Sequence, residues 1–138
     1  MGRKKARDNA FKCVYQLEFN DKENLDINQI LDYCFEDNQN SEDEKEYIKN
    51  VLEGVVKNLE AIDSIILSNL KNWTISRISK IDIAILRLAI FELKFDEAKT
   101  PIKVVANEAV ELAKTYGNND SKSFVNGLIA KVIKEMEN

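Results

Sequence analysis

At 138 residues, 44% hydrophobic and 32% charged, the chain is long enough to bury one apolar core, or two small bundles that share one. It holds no histidine, which removes imidazole as base, nucleophile partner or metal ligand and so excludes His-dependent triads and most catalytic zinc sites. The formal net charge of -4 averages over a polarised chain: residues 1–17 carry five cations against one acid, residues 18–63 fourteen acids against four lysines, and residues 64–138 eleven cations against nine acids.

Four glycines and one proline leave few turn signals, and apolar residues recur at helical spacing, which predicts an all-α protein of about seven helices. The first helix is expected over about Lys4–Phe19, with Ala6, Ala10, Cys13, Val14 and Leu17 in one buried stripe. At 100° per residue, Lys4, Arg7, Phe11 and Tyr15 share a flank beside that stripe, and Arg3 lies just across its edge. Cations neutralise phosphates, and a ring beside them can stack an unpaired base. The alternative is that the rings widen the buried stripe while the cations solvate a frayed end.

A second helix is predicted in LDINQILDYCFED, with Asp26 as N-cap and Ile27, Ile30, Leu31 and Cys34 inward. From Ser41 follows one long helix or two in series, with Gly54 as a hint of a break. Its opening acids, Glu42, Asp43, Glu44 and Glu46, complement the helix dipole and need no catalytic reading. Cys13 and Cys34 form no C-x-x-C pattern and are read as separate core or surface thiols, in a reducing, cytoplasmic compartment. No apolar stretch reaches membrane length and no signal-peptide pattern opens the chain.

Lys80–Phe95 is apolar almost all round a helical wheel, broken mainly by Asp82, Arg87, Glu92 and Lys94, so it is expected at the centre of a bundle. Thr100 as N-cap, Pro101 at the first helical position and Gly117 as C-terminal cap bracket a sixth segment. A last helix follows, capped by Asn119 or Asp120, with Phe124, Val125, Leu128, Ile129, Val132 and Ile133 on one side. Asn126 and Gly127 interrupt that periodic run. Gly127 is read as a packing glycine, while Asp120, Ser121, Ser123 and Asn126 offer polar groups at a helix N-terminus, itself attractive to phosphate. No P-loop, G-x-G-x-x-G or G-x-S-x-G occurs.

GRKKARDNAFKCVYQLEF, DIAILRLAIFEL, TPIKVVANEAVELAKTYG and SKSFVNGLIAKV, in this order and spacing, resemble the NusB family of bacterial transcription antitermination factors. The resemblance spans nearly the whole chain, and from about Asp21 to Lys71 it is one of pattern only. It implies two packed helical subdomains, about residues 1–72 and 73–138, joined through a central helix. It further implies a role without catalysis, metal or cofactor. The expected partners are single-stranded boxA-type RNA of ribosomal RNA leader transcripts, NusE, which is also a small-subunit ribosomal protein, and the RNA polymerase antitermination complex. Some members dimerise and cover their RNA surface, so a homodimer is the alternative state.

Carried over by position, the resemblance assigns RNA contact to Arg3, Lys4, Lys5, Arg7, Tyr15, Asp120, Ser121, Ser123 and Phe124, and partner contact to Asp82; Asn126 joins the expected RNA residues as a polar group near the start of the last helix. Lys4 and Lys5 stand where arginine is frequent in the family, Ala106 where isoleucine is usual, and Ala130 where aspartate is common. Two rival readings remain: an isolated domain like the N-terminal one of RNA methyltransferases, and a protein-binding helical module whose acidic face is the working surface.

Overall fold

The structure is a computed structural model that describes residues 2–20, 24–36, 40–70 and 75–137, without the side chains of residues 2, 3 and 76. Among the described residues there are seven α-helices and no strand: α1 (Gly2–Gln16), α2 (Ile27–Glu36), α3 (Glu42–Lys57), α4 (Leu59–Ser68), α5 (Lys80–Ile90), α6 (Ile102–Tyr116) and α7 (Ser121–Met136). Short 3-10 turns cover Leu17–Phe19 and Ile75–Arg77, and α5 runs on into a wider π turn at Phe91–Phe95.

The helix starts follow local chemistry. Asp26 accepts from the backbone N–H of Asn28 and Gln29, and so caps α2. Ser41 and Glu44 close a reciprocal capping box at α3, each side chain accepting from the other's N–H. The expected break falls at Asn58 rather than Gly54: the Gly54 carbonyl accepts both the backbone N–H and Nδ2 of Asn58, which ends α3. Gly54 itself leaves room for a neighbour, because the Phe91 ring lies where a methyl would stand.

Asp82 to Ile90 are all buried, so α5 is the central helix, packed against α1, α3, α4, α6 and α7. Such a helix must also bury charge. Arg87 is met by both carboxylate oxygens of Asp63 at 2.9 and 2.8 Å and by Glu18. Burial alone would push its guanidinium down, but the Asp63 and Glu18 carboxylates hold it above its ordinary value.

Several local expectations are corrected. Pro101, not Thr100, is the N-cap of α6, since its carbonyl accepts from Val104 and Val105. Gly117 is the C-cap of α6, as expected, in an extended conformation; glycine is required there because a methyl would strike Ser121 and the Ala113 carbonyl. Asp120 is the N-cap of α7, one of the two expected positions, but its side chain makes no capping bond; Asn118 Oδ1 instead accepts from Asp120 and Ser121 N–H at 2.8 and 3.1 Å. Gly127 is exposed, and a methyl there would meet no atom within 4 Å, so it is not a packing glycine. Cys13 and Cys34 are buried as expected, and they face each other across the α1–α2 contact, their Cα atoms 6.1 Å apart.

Candidate nucleic-acid interface

The flank of α1 carries more rings than the sequence pattern showed. Phe11, Tyr15 and Phe19 recur every four residues, and Tyr116 from the end of α6 joins them. Ring centroids are 5.0 Å apart for Tyr116–Phe11, 6.3 Å for Phe11–Tyr15 and 5.0 Å for Tyr15–Phe19. Lysines lie against both ends, Lys12 Nζ 5.8 Å from the Tyr116 centroid and Lys80 Nζ 4.6 Å from that of Phe19. Phe11 is buried, Tyr15 and Tyr116 are half-buried, and Phe19 is 54% exposed. The row thus passes from core to surface.

A second contact ties this flank to the C-terminal half. Tyr116 donates its hydroxyl hydrogen bond to Asp8 Oδ2 at 2.8 Å. Burial, with Asp8 beside it, pushes the Tyr116 phenol up to about 12. The α6–α7 turn begins directly after Tyr116, so the start of α1 and that turn are neighbours. The expected RNA residues of the two ends, Lys4 to Tyr15 and Asp120 to Phe124, therefore share one region of the molecule.

Not every expected residue faces outward there. Lys4 and Lys5 are exposed, and Arg3 lies in α1 with its side chain outside the described residues. Arg7 is 2% exposed and bidentate to Glu92, at 3.2 and 2.8 Å, with Tyr47 donating a third hydrogen bond to the same carboxylate. Burial would lower the Arg7 guanidinium, yet Glu92 holds it above its ordinary value. Its charge is neutralised inside the protein, which withdraws it from phosphate.

Ser121 is fully buried against Gly117, and its Oγ accepts from Asn118 N–H at 3.0 Å; it shapes the turn from within. Asp120 and Ser123 are exposed and Phe124 is half-buried. Asn126 is exposed too, but at 100° per residue it lies about 60° beyond Ser123, away from Phe124. Asp82 sits in the first turn of α5, 7% exposed, its N–H bonded to Ser79 Oγ and its Oδ1 without a hydrogen-bond partner among the described residues.

Asp8, Lys12, Phe19, Lys80 and Tyr116 were missed. The spacing of Phe11, Tyr15 and Phe19 could have revealed the row on α1, whereas nothing local announces Tyr116, 108 residues from Asp8. Among the described residues no group of three or more Cys, Asp or Glu could hold a metal ion, and no helix is long and apolar enough to cross a membrane.

An all-α fold around one buried central helix, with a row of rings and lysines beside a helix-start turn, defines a helical protein whose surface has nucleic-acid-binding chemistry. The NusB family model matches residues 4–134, and the chain belongs to that family. It is 47% identical over 135 residues to the transcription antitermination protein NusB of Acetivibrio thermocellus, covering 97% of this chain and 90% of that protein. T. maritima NusB superimposes with a TM-score of 0.87 at 36% identity, over 98% of this chain and 92% of that one. A chain of the crystal structure of antitermination factors NusB and NusE in complex with double-stranded RNA gives a TM-score of 0.83 at 29% identity, covering 96% of each.

Proposed function

We propose that this chain is a transcription antitermination factor: it holds single-stranded boxA-type RNA of ribosomal RNA leader transcripts together with NusE, and so supports processive transcription by RNA polymerase in the cytoplasm. The observation that carries the reading is the Tyr116–Asp8 hydrogen bond, which sets the lysines and rings of α1 beside the α6–α7 turn. Lys4 and Lys5 hold the backbone, Tyr15 stacks a base, and Asp120, Ser123 and Phe124 meet unstacked bases. The acidic stretch before α4 repels RNA and confines it to this side. Asp82, with a buried oxygen that no group among the described residues satisfies, is the contact for NusE.

The reading assigns no catalytic step, cofactor or metal, and treats residues 1–72 and 73–138 as two subdomains sharing α5. Kinship with antitermination factors, one of them crystallised with NusE and RNA, favours it over a purely protein-binding module. Gel shifts with boxA-type RNA at several salt concentrations, with and without NusE, test it. Affinity should fall as salt rises and should increase when NusE is present. Binding indifferent to both salt and NusE would overturn it.

A further inference from the structure

Gly127 stands in the middle of α7, where glycine is among the least favourable residues. The packing that explains Gly54 in α3 does not explain this one. Phe91 fills the space over Gly54, whereas the space over Gly127 is open. Gly127 floors a cleft of about 590 Å³ between the end of α4 and the outer flank of α7, with Ser68, Asn69, Ser123, Phe124 and Lys131 around it. At 100° per residue, Asp120, Ser123, Phe124, Gly127 and Lys131 fall within about 100° of one another, so the cleft continues the surface of the α6–α7 turn.

The lining is mixed: the half-buried Phe124 ring with Leu70 and Leu128 gives an apolar wall for a base, and one ammonium, two hydroxyls and an amide stand around it. We propose that this cleft is a nucleotide subsite of the RNA surface. A base lies against Phe124, its backbone passes over Gly127, and its phosphate meets Lys131. A methyl at position 127 would stand in that path, which gives the open glycine its reason. Asn69 Nδ2 donates to Glu135 Oε1 at 3.3 Å, and this carboxylate closes the far end to further phosphates. The subsite rests on the RNA-binding reading above.

Gly127→Ala and Lys131→Gln separate the subsite from its alternatives, with Tyr15→Ala as control. The full chain is titrated with single-stranded boxA-type RNA at several salt concentrations, beside thermal unfolding and calorimetry with NusE. Gly127→Ala should melt at a higher temperature than the parent and yet bind RNA about tenfold more weakly, the size of one base contact. Lys131→Gln should lower the salt slope by about 0.7, one single-strand phosphate. If both variants bind RNA normally while Tyr15→Ala is weakened, the subsite is wrong and the RNA surface stands. Lost NusE affinity with RNA binding intact makes the cleft a protein contact and overturns the subsite. A lower melting temperature for Gly127→Ala returns that glycine to packing, and an unchanged salt slope for Lys131→Gln then suffices to overturn it. A parent chain without RNA affinity overturns both.

Discussion

The Tyr116 hydroxyl donates to Asp8 Oδ2 at 2.8 Å and joins the first helix to the end of the sixth across 108 residues of sequence. Tyr116→Phe removes that bond and leaves the ring against Phe11. It should cost about 1 kcal/mol in urea unfolding, the ordinary worth of one hydrogen bond. The phenol is raised in the folded state, so its contribution is fully present below the unfolded tyrosine value near 10 and is lost as pH climbs to about 12. Stability of the parent should therefore fall more steeply than that of Tyr116→Phe across this window. Parallel profiles would remove the bond from the account.

The basic start divides into two roles. Arg7→Ala leaves Glu92 buried without its partner and should destabilise the fold by about 3–5 kcal/mol. Replacing Lys4 and Lys5 together should leave stability nearly unchanged and lower the RNA salt slope by about 1.4, two phosphate contacts. Urea unfolding and RNA titration of the same variants check both. The opposite outcome, a stable Arg7→Ala with a reduced salt slope, would return Arg7 to the RNA surface.

Arg7 also shows where sequence reading stops. The seven helices follow from apolar spacing, and the buried α5 from its all-round apolar wheel. Arg7 precedes Ala10 by three residues and Val14 by seven, so its place on the buried stripe was visible, but its charge argued for exposure. Its partner Glu92, 85 residues away, left no local trace. Ser121 is a similar case: a serine at a helix start reads as a surface hydroxyl, and only the closeness of Gly117 turns it inward. Lys4, Lys5, Asp120 and Ser123 needed no distant partner to be placed. They are exposed where helix position put them.

Asp82 offers a test of the partner surface. Asp82→Asn keeps the shape and removes the charge at the start of α5. It should weaken NusE association while leaving RNA binding by the isolated chain unchanged. Calorimetry with NusE reads the first and filter binding the second. Undiminished NusE affinity would move the protein contact away from α5.

Lys99 adopts a φ of 55°, a left-handed conformation costly for a residue with a Cβ, in the turn that leads from α5 to α6. Lys99→Gly should raise stability by up to about 1 kcal/mol, the relief of strain less the entropy of glycine. Urea unfolding decides it. A loss of stability would mean that the lysine side chain contributes more than the strain costs.

The central claim is that α1 and the α6–α7 turn form one RNA surface, and backbone NMR of this 15.8 kDa chain tests it most directly. In a titration with single-stranded boxA-type RNA, amide shifts should move together, with one affinity, along Lys4 to Tyr15 and from Asn118 to Phe124, while the acidic α2 and the start of α3 stay still. Shifts confined to one of the two segments, or centred on α2 and α3, would contradict it.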